Sequence, residues 1–197
     1  MAEAREVERF PATGGRVTGI LIVIAGAAVA VLAVAERDES WALPVGLAGL
    51  TLGAMAWASM LRPALLVDGD FLVMRNMVDT VHVPLAAIEL IAVRQVLAVR
   101  AGEKRYVSPV IGKSRRKLTR AERAARSEQS KQGEMDYTAF VEERIRILAE
   151  DARAERGVTM LSDEQQALAA DVRRDWDWPV IALVTVPLVL FVLSLLV

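Results

Sequence analysis

The stretch Ala64–Ile111, ALLVDGDFLVMRNMVDTVHVPLAAIELIAVRQVLAVRAGEKRYVSPVI, decides the fold class. Short β-branched runs alternate with turn signals at Asp68-Gly69-Asp70, Asn76, Val78-Asp79 and Ala101-Gly102. Such punctuation predicts a meander of short antiparallel strands. The strands are expected at Ala64–Val67, Phe71–Asn76, Thr80–Val83, Ile88–Arg94, Val96–Arg100 and Arg105–Pro109. Apolar side chains fall on both faces of several of them, so both faces are expected to be covered, by other elements or by the membrane.

Two uncharged runs precede this stretch and one closes the chain. Val17–Ala35 has nineteen residues without a charge, enough to cross ~30 Å of hydrocarbon as a helix. Ala33-Val34-Ala35 resembles a signal-peptide cleavage site, but the apolar run is longer than the usual leader core and residues 1–16 are mixed in charge. A span preceded by a loose cytoplasmic tail is the expectation. Glu36–Ser40 is too short for anything but a tight return. Trp41–Leu61 then gives the second half of a helical hairpin over 17–61. Gly26 with Ala30, and Gly49 with Gly53, are small residues four apart that would let two helices approach closely in lipid. Glycine and alanine are also simply common in spans. Pro179–Val197 is a third uncharged run, with Trp176 and Trp178 at its edge and Pro187 inside it. A third transmembrane helix is expected over 177–197.

Between the β-stretch and this last run lies a charged region. Lys113, Arg115, Arg116, Lys117, Arg120, Arg123 and Arg126 face Glu122 alone in Lys113–Arg126, inside a polar insertion at 113–134. Asp136 offers an N-cap, and Tyr137, Phe140, Val141, Ile145, Leu148 and Ala152 follow at helical spacing. Tyr137–Arg156 is expected to be one amphipathic helix, stopped by Gly157. Ser162-Asp163-Glu164-Gln165 is a capping-box signature for a connecting helix within 158–176.

Charge sets the expected orientation. Twenty of the 24 Lys and Arg lie in Arg62–Arg174, whereas Glu36–Ser40 carries one. The positive-inside rule then puts the N-terminus and the β-region in the cytoplasm and the C-terminus outside.

The same composition closes off several chemistries. The chain has no cysteine and one histidine, His82, so zinc–thiolate sites, histidine clusters and cysteine nucleophiles cannot be built. Phosphate-binding glycine loops and the GxSxG elbow do not occur. Glu142, Glu143, Glu150, Asp151 and Glu155 alternate with arginines, which reads as a solvated helix face rather than a cation site. No charge falls inside an uncharged run, which argues against an ion pathway. No enzyme activity, cofactor or metal is expected. Nucleic acid is not an expected partner either, because the basic run has no interleaved aromatics.

Three segments carry a resemblance to a known family: Val67–Asn76, with its Asp-Gly-Asp-Phe-Leu-Val-Met-Arg-Asn core; His82–Glu89, with Val83-Pro84 and Ile88; and Gly102-Glu103-Lys104-Arg105-Tyr106. Together with the preceding helical hairpin they resemble the bacterial pleckstrin-homology-like domains of actinobacterial membrane proteins. The resemblance implies a bent antiparallel sheet over 62–157 closed by a C-terminal helix. Leu85 stands where the family often has Trp, and six strands are legible where the full fold has seven. The Asp68-Gly69-Asp70 turn carries carboxylates where phosphoinositide-binding relatives carry basic residues, so that activity is not expected here.

The whole reads as an α+β membrane protein: three transmembrane helices with a cytoplasmic β-domain that binds without catalysing. Its expected partners are the lipid bilayer and an unidentified protein. The candidate contact with anionic lipid is Lys113, Arg115, Arg116, Lys117, Arg120 and Arg123, where each basic side chain near such a surface gains ~1 kcal/mol. A solubilising loop explains the same run. The alternative function is an accessory subunit of a membrane enzyme or transporter complex.

Overall fold

The strands come first, because they form where the turn residues demand. The computed structural model describes residues 7–112 and 137–196. Within Ala64–Ile111 it has β2 (Ala64–Asp68), β3 (Phe71–Arg75), β4 (Asp79–Pro84), β5 (Ile88–Val93), β6 (Leu97–Ala101) and β7 (Lys104–Ser108). Each lies on one of the six expected strands. Two further strands, β1 (Glu8–Phe10) and β8 (Arg173–Trp176), join β2–β4 in a sheet of order β1-β2-β3-β4-β8. A second sheet is antiparallel with order β5-β6-β7. The helices are α1 (Arg16–Ala35), α2 (Ala42–Ala56, prolonged by a π-turn at Trp57–Leu61), α3 (Tyr137–Arg156), α4 (Asp163–Leu168) and α5 (Trp178–Ser194). The architecture is α+β.

The chain divides into two compact units. The first comprises residues up to Thr13, Ala64–Arg75 and Val81–Arg174. Its core gathers Leu65, Leu72, Met74, Val83, Leu85 and Leu97 from the sheets with Val141, Ile145 and Leu148 from α3. The helix thus docks by most of the expected stripe. Phe140 departs from it, at 46% exposed, while Thr138 and Ala149 are buried in the contact instead.

Residues 7–13 are not a loose tail. Glu8, Arg9 and Phe10 pair with Val67, Leu66 and Leu65 of β2, and Phe10 is buried in the core. Arg144 of α3 grips the Glu8 carboxylate with two nitrogens, each at 3.0 Å. That hydrogen bond raises the Arg144 pKa above its already high value. The Tyr137 hydroxyl donates to the Pro11 carbonyl at 3.2 Å, and burial raises its pKa above the ordinary phenol value. Thr13 N–H donates to the Val110 carbonyl at 3.1 Å. The ion pair is half exposed and contributes little; burial of the Phe10 ring stabilises the attachment more.

The segment expected as a connecting helix also differs. Ser162 caps α4, its hydroxyl accepting from Gln165 N–H at 3.2 Å. The Gln165 side chain, however, turns inward rather than back to the cap. It is fully buried, donates to the carbonyls of Ala86 and Ile88, and accepts from Leu161 N–H. All its polar capacity at that depth is used, as burial requires. The chain then leaves helix geometry, and Arg173–Trp176 is a strand exposed along its whole length.

The second unit comprises Gly14–Pro63, Asn76–Thr80 and Asp175–Val197. Arg16–Ala35 and Ala42–Leu61 are each long and apolar enough to cross a membrane. The third apolar helix, Trp178–Ser194, has 17 residues, or roughly 26 Å at 1.5 Å per residue. A side chain at Gly26 would place its Cβ 2.5 Å from the Gly49 carbonyl oxygen, and one at Gly49 would meet the Gly26 oxygen at 2.8 Å. The two backbones touch where the small residues were expected to let them. Ala54, Ala58, Met77, Val180 and Val184 pack together at the base of the hairpin. There Arg62, its side chain 6% exposed, donates to the carbonyls of Asn76 and Met77 and to the Asp177 carboxylate.

Two outcomes are expected. Phe10→Ala should destabilise the first unit by about 3–5 kcal/mol, the usual result of emptying a buried aromatic site, read as thermal unfolding of the purified chain. Gly26→Leu cannot keep the present helix separation and should cost about 1–3 kcal/mol by overpacking, read as a lowered melting temperature in detergent.

Candidate functional site

The outer face of the β5-β6-β7 sheet is the most distinctive surface among the described residues. Two-residue turn chemistry at Gly102-Glu103 fixes Ala101 opposite Lys104, which puts Arg100 directly opposite Arg105. On the other side of β6, Leu90 faces Arg100 and Ala92 faces Ala98. One row across the sheet is therefore Leu90–Arg100–Arg105, and the next is Ala92–Ala98–Val107. Arg94 joins them at the end of β5, and the face forms a half-open concavity of about 590 Å³.

A register shift between Ile88 and Leu90 makes Glu89 the bulged residue of β5. Bulges re-aim a side chain, and here the Glu89 carboxylate accepts from Gly102 N–H at 3.1 Å and forms an ion pair with Arg100, its oxygen 3.3 Å from Nε. Arg100 Nε also donates to the Gly102 carbonyl at 3.2 Å. The bulge thus orients Arg100 and leaves the rest of its guanidinium outward. Neither Arg94 nor Arg105 has a side-chain partner among the described residues. Leu90 is 61% exposed and Val107 49%.

A second concavity, about 310 Å³, lies between β5 and α3. Its ends are already closed. Glu142 accepts from Val93 N–H at 3.0 Å, and Arg153 donates to the Ile88 carbonyl at 2.7 Å. These side chains satisfy the open edge of β5, which protects it from pairing with another strand.

The basic run read from the sequence, with Lys113, Arg115, Arg116, Lys117, Arg120 and Arg123, lies outside the described residues. Asp70 of the acidic turn is bound by Arg156 at 2.9 Å, and its carbonyl accepts from Leu85 N–H; the turn is tied to the end of α3. His82 is half buried on β4. Of the α3 carboxylates, Glu143 pairs with Arg146 and Glu142 with the β5 backbone. Among the described residues, no three His, Cys, Asp or Glu side chains are grouped to hold a metal ion.

Sequence reasoning did not single out Arg94, Arg100 and Arg105. The signal was the turn at Gly102-Glu103: counting outward from it pairs Arg100 with Arg105. Comparisons with protein-family models, with curated proteins and with solved structures find no match to this chain.

Like charges directly opposite on a sheet are unfavourable by roughly 0.2–1 kcal/mol. Arg105→Thr should therefore leave the protein as stable as before or stabilise it by about 0.5 kcal/mol, measured by chemical denaturation. A clear loss of stability would show that Arg105 builds the fold.

Proposed function

We propose that this is a multi-pass membrane protein with a cytoplasmic pleckstrin-homology-like module that binds a membrane surface or a protein partner and catalyses nothing. The observation that carries the membrane half is an inversion of side-chain size. Helix α1 buries Gly19, Gly26 and Ala33 and exposes Val17, Leu21, Ile24, Val31 and Val34. In water such a helix would put its large side chains inward. Small residues inward and large residues outward suit a helix packed in lipid. Only 17% of its span is buried, which is unlike the core helix of a soluble protein.

The module half rests on the two-sheet unit closed by α3 and on the sequence motifs at Val67–Asn76, His82–Glu89 and Gly102–Tyr106. In this reading α1, α2 with its π-turn, and α5 are three spans. The N-terminus and the β-unit are cytoplasmic and the C-terminus is outside, as the excess of basic residues in Arg62–Arg174 favours. The 17 residues of α5 suit a membrane somewhat thinner than average or one that adapts locally.

A second reading, an accessory subunit of a larger membrane complex, draws on a cleft of about 730 Å³ between α1 and α2. It is lined by Ala30, Ala33, Leu43, Gly46 and Leu47 and could receive side chains of another helix. A stoichiometric partner retained through purification in mild detergent would favour it.

Topology is tested by reporters fused after Ser40 and after Val197. Both should be active only outside the cytoplasm, and one fused after Gly112 only inside. Cytoplasmic activity at Val197 with external activity at Ser40 would reduce the spans to two.

A further inference from the structure

We infer that the outer face of the β5-β6-β7 sheet docks on an anionic phospholipid surface, Arg94, Arg100 and Arg105 meeting the headgroup phosphates while Leu90 and Val107 enter the interface. The inference rests on the membrane reading above and names a surface for it. That surface differs from the basic run at 113–126.

Charge complementarity is the first reason. Three guanidinium groups share one face, and the carboxylate that pairs with Arg100, Glu89, is 8% exposed and already engaged by Gly102 N–H and Arg100 Nε. The Arg100–Arg105 pairing gives the sheet nothing in isolation, since like charges opposed across strands repel. An anion laid over the pair removes that repulsion.

Shape is the second. The arginines line a half-open concavity of about 590 Å³ and do not converge in a closed cavity. Such an array fits an extended sheet of headgroups better than one small phosphate compound. The apolar residues are in the same two rows: Leu90 beside Arg100, and Val107 beside Ala98. Exposed aliphatic side chains interleaved with cations suit the zone between headgroups and acyl chains. Nucleic acid fits less well, because this face has no aromatic side chain on which a base could stack; Tyr106 alternates to the opposite face from Arg105 and Val107.

Tethering is the third. Each basic side chain gains ~1 kcal/mol near an anionic leaflet, too little for three residues to recruit a free protein stably. A unit carried on helices embedded in the same bilayer searches at a high effective concentration, so three suffice. The docked-to-undocked ratio should change on the order of a hundredfold between neutral and anionic lipid.

The chain has no cysteine, so a single nitroxide can be placed at will. Full-length protein carrying Val107→Cys, and separately Ala154→Cys on the exposed flank of α3 as a control, is reconstituted in two kinds of vesicle. One is phosphatidylcholine alone; the other contains about one-third phosphatidylglycerol. Flotation after an alkaline wash first establishes that the chain is embedded. Failure at that step overturns the membrane reading and this inference with it.

In embedded protein, the label at 107 should gain access to oxygen and lose access to a water-soluble nickel chelate in anionic vesicles. The label at 154 should not change. At ~1 M salt, where the Debye length falls to ~3 Å, the shift should largely reverse. Arg94→Gln with Arg100→Gln and Arg105→Gln should abolish it, and Arg105→Gln alone should reduce it, which serves if the triple variant folds poorly. Replacing the six basic residues from Lys113 to Arg123 with Gln should leave it in place. A label at 107 equally aqueous in both lipids overturns the inference, as does a shift that survives the arginine substitutions or vanishes with the 113–123 substitutions.

Discussion

The pairing of β1 with β2 is the constraint on which the rest depends. Glu8–Phe10 precede α1, and their partners Leu65–Val67 follow α2. The first unit is therefore completed by two pieces of chain with the whole helical hairpin between them. A strand pair cannot form through a bilayer. If α1 crosses the membrane, α2 must cross back, so that β1 and β2 meet on one side. That parity follows from hydrogen-bond register and owes nothing to charge. The positive-inside rule then has only to choose which side. The short Glu36–Ser40 return, with one basic residue against three acidic ones, bears on that choice.

In the second unit a single guanidinium has a comparable role. Arg62 ends the π-turn after α2 and reaches carbonyls of Asn76 and Met77 and the carboxylate of Asp177, which precedes α5. Asp177 N–H in turn donates to the Val78 carbonyl at 2.9 Å. Three segments distant in sequence meet at one nearly buried cation. Removing one partner of such a cluster commonly costs about 3–5 kcal/mol, what an uncompensated buried charge requires. The packing around it is slight by comparison. Ala54, Ala58, Met77, Val180 and Val184 offer mostly small surfaces, so direction comes from the polar cluster and area from the surroundings. Arginine suits this position because its donors are fixed in a planar fork and can serve two carbonyls and a carboxylate together.

What the sequence made legible was local. The six strands of Ala64–Ile111 were readable because Asp-Gly-Asp, Asn76 and Ala-Gly turns delimit them. Tyr137–Arg156 was readable because its apolar residues recur every three or four positions, and the three apolar helices because their runs carry no charge. β1 and β8 escaped for the opposite reason. Glu8-Arg9-Phe10 shows no apolar alternation, and its partner lies beyond the whole helical hairpin. Arg173-Arg174-Asp175-Trp176 is exposed throughout, so burial left no pattern in it. Phe140 was assigned inward by spacing, but an apolar stripe has two edges, and the helix turns Thr138 and Ala149 inward in its place. Gln165 matched a capping signature whose second half it does not fulfil, because its side-chain oxygen accepts from Leu161 N–H while Ser162 N–H donates to the Thr159 carbonyl.

The arginines outside the basic run divide by what they do for folding. Arg62, Arg144, Arg153 and Arg156 each bind a carboxylate or carbonyl from a distant segment and hold two elements together. Arg146 pairs along its own helix, and Arg173 lies over the Phe71 ring at 5.4 Å. The arginines of the second sheet are different. Arg100 is turned outward by the Glu89 bulge, while Arg94 and Arg105 bridge no elements among the described residues. Threonine or valine at position 105 would suit a strand better and remove a like-charge pair. A cation from which the fold gains nothing is left for an interaction outside the fold, the role inferred above for this face. The acidic turn shows the converse. Asp70 pairs with Arg156, so its charge attaches a hairpin to a helix. Where both charge and exposure survive folding, as on the rows through Arg100 and Val107, the surface is available for recognition.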